Sequence, residues 1–268
     1  MRKKIKAIFF DIDGTLRDFE TGRIPDSAKE ALLAAREAGI RLFIATGRHK
    51  LEMEEENLLE GLPFEGYVTL NGQYCYDEER LIYHYPIKQE AVTEVLNLLK
   101  EEPFPCMFME ADRMYINSVD NLVIEAQEVI GTRLPTLEDV ERARDKAIYQ
   151  IVPYLSEDRI TTLKNRLTGC QFIQWHDGCA YDIVPADGCK SEGIYQLAND
   201  FGLTMEEIAA IGDGGNDIDM IAGAGFGIAM GNAKKEVKAA ADYITDSIEN
   251  HGLSKAIFHI LENNKTYA

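Results

Sequence analysis

Three groups of polar residues in this chain stand directly after apolar runs, and the first is the most demanding. Asp11-Ile12-Asp13-Gly14 follows Ile5, Ala7, Ile8, Phe9 and Phe10. A strand carries residues i and i+2 to one side, so an extended conformation that persists to Asp13 aims both carboxylates into one space. Two unit charges about 4 Å apart repel by roughly 4 kcal/mol at an effective dielectric near 20, so a cation has to offset them. A hard divalent ion with oxygen ligands does this, and Mg²⁺ suits a site of few carboxylates that leaves room for phosphate oxygens and water. An ordinary Asp-Gly turn accounts for Asp13 and Gly14 but not for Asp11, an acid adjoining five apolar positions.

The second group, Thr46-Gly47-Arg48, follows the apolar run Ile40 to Ala45. It offers a hydroxyl and a backbone amide that an anion can approach closely; alone it is also a common turn with a common surface charge. The third, Gly212-Asp213-Gly214-Gly215-Asn216-Asp217, again puts an acid after a run, Glu207 to Ile211. Lys190 opens a helix. A lysine there opposes the macrodipole, whereas an anion would gain from both, so ligand and surface readings weigh equally. Asn71-Gly72 is a tight-turn signal, with a hairpin and a ligand-reaching Asn71 both open. The glycines match neither G-x-G-x-x-G nor G-x-x-x-x-G-K-[ST], which removes the dinucleotide and P-loop readings.

The elements that position these residues follow from the spacing. Residues 5–10 read as a central strand, apolar on both faces, in a parallel sheet. Ala28, Ala31, Leu32, Ala35 and Ala38 give a helix opened by Pro25-Asp26-Ser27 and stopped by Gly39, and residues 40–45 give a second strand. Strand, helix, strand is a right-handed βαβ unit whose strand ends share one edge of the sheet, where open α/β sheets bind ligands. An acidic helix over 49–60 and strands at 67–70, 74–76 and 81–85 follow. From about residue 87 the pattern changes to an α+β insertion: helices at 88–101, 119–130, 136–145 and 156–168, with strands around 106–117, 147–153, 170–175 and 180–184. Pro185-Ala186-Asp187-Gly188 returns the chain for a helix from Lys190 to Phe201, a strand at 207–211, a helix carried by Ile218, Met220 and Ile221, a turn plus a short strand over 223–230, a helix closed by Ala239 to Ala241, a strand at 243–245 and a terminal helix over 251–262.

The 268 residues leave ample chain for a full core and predict one or two domains. Apolar residues at 46% and charged residues at 28% are a globular balance without a disorder signature. A net charge of −18 argues against nucleic acid or an anionic membrane as partner, so an anionic substrate needs locally placed cations or a metal. Cys75, Cys106, Cys170, Cys179 and Cys189 contain no C-x-x-C pair and read as reduced thiols of a cytoplasmic protein. Arg2, Lys3, Lys4 and Lys6 precede an apolar run too short for a signal peptide or a membrane span. His84, Trp175 and His176 read as packing residues.

Taken together, D-I-D-G-T at Asp11 to Thr15, A-T-G-R at Ala45 to Arg48, Lys190 after the return loop and G-D-G-G-N-D at Gly212 to Asp217 resemble the haloacid dehalogenase-like (HAD) phosphohydrolases, and within them the Cof-type branch. A-M-G-N-A at Ala229 to Ala233 and K-A-A-A-D-Y at Lys238 to Tyr243 are similar to that family too. The resemblance implies an α/β fold: a Rossmann-like three-layer core with a mainly parallel sheet over 1–86 and 185–268, and an α+β cap over 87–184. It implies Asp11 as nucleophile, forming an aspartyl-phosphate, and Asp13 as general acid and base, its pKa raised by crowding from Asp11 and Asp213. Mg²⁺ is then held by the Asp11 and Asp213 carboxylates and the Asp13 carbonyl, with Asp217 supporting Lys190 or a metal-bound water. Phosphoryl oxygens fall to Thr46, the Gly47 and Ile12 amides, Lys190 and Asn216. The expected activity is Mg²⁺-dependent hydrolysis of a small phosphorylated metabolite, a sugar phosphate or phosphorylated cofactor. A phosphomutase of the same superfamily, or a phospholigand-binding module without turnover, are the alternatives.

Overall fold

The computed structural model describes residues 3–175, 178 and 180–267; Arg2, His176 and Cys179 lie outside the described residues. The chain divides into two compact units, the first of residues 1–48, 53–84 and 189–268, the second of residues 49–52 and 85–188.

In chain order the elements are β1 (Ala7–Phe10), α1 (Asp26–Glu37), β2 (Arg41–Ala45), α2 (Lys50–Glu55), β3 (Gly66–Thr69), β4 (Tyr74–Tyr76), β5 (Leu81–His84), α3 (Gln89–Glu101), β6 (Cys106–Met109), β7 (Met114–Ile116), α4 (Asn121–Ile130), β8 (Thr136–Leu137), β9 (Gln150–Pro153), α5 (Glu157–Arg166), β10 (Cys170–Gln174), β11 (Tyr181–Pro185), α6 (Lys190–Asp200), β12 (Ile208–Gly212), α7 (Ile218–Gly223), β13 (Phe226–Ala229), α8 (Lys235–Ala240), β14 (Tyr243–Ile244) and α9 (Gly252–Lys265).

The first unit is built on a sheet in the order β14-β13-β12-β1-β2-β3-β4-β5. From β14 to β3 every neighbouring pair is parallel, and β4 and β5 extend the sheet as antiparallel hairpins. β1 is central because all four of its side chains are apolar and buried, as a strand covered on both faces requires. Successive residues feed opposite layers. Ile8 and Phe10 join Leu42, Ile44 and Ile211 beneath α1 and α9, while Ala7 and Phe9 join Phe43, Ala210, Ile194 and Leu197 beneath α6 and α7. Phe9 stacks on Phe43 with ring centroids 4.7 Å apart. Of the predicted stripe, α1 buries Ala28, Ala31, Leu32 and Ala35; Ala38 is exposed past its end, and Gly39 at φ 79° closes the turn.

Two expectations are corrected. The helix over 49–60 stops at Glu55, because Leu58 and Phe64 turn into the core and Glu60 accepts the Ile24 amide at 2.9 Å. The helix over 136–145 is a two-residue strand, pairing Tyr115 with Thr136, followed by a short 3-10 segment. There Asp139 caps Glu141, and Arg142 forks onto Glu110 at 2.8 and 3.0 Å, so strand pairing and ion pairs outweigh helical spacing.

The second unit is an antiparallel sheet in the order β10-β11-β9-β6-β7-β8, apart from the parallel β7–β8 edge. Val92, Val95, Leu96 and Leu99 of α3 and Ile160 and Leu163 of α5 pack with Cys106, Phe108, Ile151 and Ile183 in its core. Trp175 packs edge-on to Tyr154 and donates to Asp182 at 2.6 Å, as a packing residue does; His84 ends β5 in the first unit. The four described cysteines are free. No helix among the described residues is long and apolar enough to cross a membrane.

Candidate active site

Asp11 follows β1, Thr46 follows β2 and Asp213 follows β12, and these three strands are neighbours with parallel register. Their carboxyl ends therefore meet at one rim of the sheet, which is what brings residues some 200 positions apart together. Gly14 makes this approach close: its φ is 82°, and a Cβ there would lie 2.3 Å from Asp213 Oδ2. Gly212 does the same for Asp217, whose carboxylate carbon would sit 2.5 Å from a Cβ.

Lys190 enters from the first turn of α6 and is wholly buried at its side chain. Its ammonium donates to Asp11 Oδ1 at 2.7 Å and to Asp217 Oδ1 at 2.6 Å. Asp217 is completed by the amides of Asp213 and Gly214, which donate to Oδ2 at 2.9 and 2.8 Å. Both its oxygens are thus committed. Asp213 accepts from Thr15 at Oδ1 (3.1 Å) and from Asn232 at Oδ2 (3.1 Å). Asn232 also donates to the Gly14 carbonyl at 2.9 Å, tying the two acidic loops together.

Oxygen atoms of Asp11, Asp213 and Asp217 lie within 4.8 Å of one another. Burial, and then the charge of Asp217, push the Asp11 carboxyl well above the usual carboxylate range. The same two causes push Asp213 up to about 7. Burial alone would lower Lys190, but Asp11 and Asp217 outweigh it and hold the ammonium charged. With all three carboxylates ionised, the one ammonium would leave two charges uncompensated, and every donor is a hard oxygen. The donor set fits a small divalent cation such as Mg²⁺.

Asp13 lies beside two arginines. Its carboxylate is forked by Arg48, Nε to Oδ2 at 2.7 Å and Nη2 to Oδ1 at 3.0 Å, with Arg17 Nη1 at 3.7 Å. Among the expected phosphate ligands, Thr46 is buried and its hydroxyl accepts the Arg48 amide at 3.1 Å. Gly47 lies between them, and Ile12 is in the turn after Asp11. Asn216 donates to Asn71 Oδ1 at 2.8 Å. Asn71 is both in a hairpin turn, between antiparallel β3 and β4, and at the site.

Sequence reasoning gives no role to Thr15 or Asn232 and does not foresee that Arg48 meets Asp13. Thr15 and Asn232 sat in quoted motifs without a role, because a side chain that binds another side chain leaves no spacing signal; Arg48 was indistinguishable from a surface charge.

Residues 8–257 match the model of the haloacid dehalogenase-like hydrolases. The chain belongs to that family. Across its length, this HAD-family chain is 30% identical to the Bacillus subtilis strain 168 protein YkrA over 253 residues, covering 94% of this chain and 96% of YkrA. It is 30% identical to pyridoxal phosphate phosphatase YbhA of Escherichia coli K12 over 267 residues, covering 91% and 96%. The solved structure of BT4131, a HAD subclass IIB sugar phosphatase, superposes with a TM-score of 0.84 at 38% identity, covering 95% of this chain and 98% of that one. The HAD-like α/β fold and the Cof-type branch read from the motifs stand, and the chain is a phosphatase of this family.

Proposed function

We propose that this enzyme hydrolyses a small phosphorylated metabolite, a sugar phosphate or phosphorylated cofactor, through an aspartyl-phosphate on Asp11 with Mg²⁺ bound beside it. The observation that carries the reading is Lys190 bonded to both Asp11 and Asp217, next to Asp213 at the same sheet rim.

Asp11 is the nucleophile. Lys190 occupies its Oδ1, which orients the carboxylate and leaves Oδ2 for attack on phosphorus; carboxylate catalysis then splits one difficult displacement into two easier ones. Asp13 protonates the leaving alcohol and later takes the proton of the attacking water, a role worth roughly 10²- to 10⁴-fold. Asp217 acts through Lys190 and through the amides that shape the Asp213 loop. Asp11, Asp213 and the Asp13 carbonyl are the residues for Mg²⁺, which when bound screens the nucleophile from the charge of the substrate. Thr46, the Ile12 and Gly47 amides, Lys190 and Asn216 hold the phosphoryl oxygens, and positioning of this kind supplies most of phosphoryl-transfer catalysis. The substrates named for YbhA and BT4131 are small phosphate esters, which supports the size class.

Hydrolysis of p-nitrophenyl phosphate that requires Mg²⁺ and vanishes in Asp11→Asn tests the mechanism. Phosphate release across a metabolite panel tests the substrate class; turnover of phosphoproteins alone would overturn it.

A further inference from the structure

The turn between β3 and β4 carries more strain than a hairpin needs. Leu70 and Asn71 are both left-handed, at φ 52° and 56°, and a leucine there is unfavourable. Gly72 follows at φ 98°, and a Cβ on it would lie 2.0 Å from the Cys189 carbonyl oxygen. Behind them the fully buried Gln73 donates to the Asn71 carbonyl at 3.0 Å, while its own Oε1 has no hydrogen-bond partner among the described residues. An Asn-Gly pair closes a hairpin far more cheaply in a two-residue turn. Strain held this way by its surroundings gathers where function uses the resulting geometry.

What the turn holds is the two loops read above as binding the phosphoryl group. The Asn71 amide donates to the Thr46 carbonyl at 3.0 Å and the Leu70 amide to the Arg48 carbonyl at 3.2 Å, so the turn is laced to both sides of Gly47. The Asn71 side chain lies against Gly47, where a Cβ would be 3.2 Å from its amide atoms. Its Oδ1 accepts one of the two Asn216 amide hydrogens at 2.8 Å, and the other remains to meet an anion. One side chain thereby joins the loop after β2 to the loop after β12, across the strand that bears Asp11.

We propose that Asn71 is a positioning residue for phosphoryl recognition, fixing the Asn216 amide and the Gly47 backbone in register with Asp11. The inference rests on the reading that these two loops bind phosphate. Because Gly adopts a left-handed φ without strain, Asn71→Gly removes the side chain and leaves the turn intact.

The expected result is a fall in kcat/KM of about 10- to 100-fold, the range found when a residue supporting a ligand is removed. Most of it lies in kcat, the inhibition constant for orthovanadate rises by a similar factor, and the melting temperature is unchanged or higher. Adding Asn71→Gly to Asn216→Ala costs clearly less than the product of the two single losses, since the one acts in part through the other. Losses that multiply, or a vanadate constant unmoved while melting falls, overturn the proposal. If Asn216→Ala is itself silent in an active parent enzyme, the phosphate reading of Asn216 fails and this inference with it. If Asn216→Ala is impaired and Asn71→Gly is not, this inference alone fails. Asn71→Ser, too short to reach Asn216, serves the same comparison if the glycine variant does not fold.

Discussion

Replacing Asp213 by asparagine should stabilise the metal-free protein while abolishing its activity. Burial and the neighbouring Asp217 raise the Asp213 carboxyl from 3.8 to about 7. At 1.36 kcal/mol per unit, the ionised group opposes folding by about 4 kcal/mol. Below pH 3.8 the carboxyl is protonated in both folded and unfolded chains and has no effect. Between 3.8 and 7 the unfolded chain ionises first, so stability falls as pH rises, and above 7 the full penalty is in place. The substituted side chain would keep the Oδ1 that accepts from Thr15 but turn an NH₂ toward the Asn232 donor, losing one hydrogen bond worth roughly 1 kcal/mol. The expected net gain is about 3 kcal/mol at pH 8. Urea titrations in EDTA, followed by far-ultraviolet circular dichroism at pH 8 and pH 4, measure it. A variant no more stable than its parent at pH 8, or a gain that persists undiminished at pH 4, would refute the reasoning.

Mg²⁺ should raise the melting temperature more at pH 8 than at pH 5, because below about 7 it must displace a proton from Asp213; equal shifts in calorimetry would contradict this. Lys190→Met leaves Asp11 and Asp217 buried without their cation and should cost about 3 to 5 kcal/mol in urea unfolding at pH 8. Arg48→Lys keeps the charge but loses the fork on Asp13, and kcat should fall by up to about 100-fold, read by steady-state kinetics at saturating Mg²⁺. A kcat within twofold of the parent would remove Arg48 from the catalytic machinery.

The acidic loops were legible because each follows an apolar strand, and a parallel sheet sends such strand ends to one rim. β1, α1, β2 and the hairpins at 74–84 followed from periodicity and glycine stops. The segment at 136–145 did not, since its helical spacing is outweighed by a strand partner and by Glu110, neither of which is local. Asp13 shows the same limit within the site. The nearest charged residue along the chain is the acidic Asp11, but the group that forks the Asp13 carboxylate is Arg48, delivered by the adjacent strand. Asn71 was readable as a turn residue, while its bond to Asn216, 145 positions away, was invisible to any spacing rule.

The strand order also sets a timetable for synthesis. β1 takes its partners from β2, made almost at once, and from β12, which begins at Ile208. At about 5 to 20 residues per second, a ribosome needs roughly 10 to 40 s to make the intervening chain. Throughout that interval the nascent β1–β2 segment carries one bare apolar edge, the kind of edge that recruits other chains. β1, the strand that leads to Asp11, is thus made well before its second neighbour and keeps one edge open until β12 arrives.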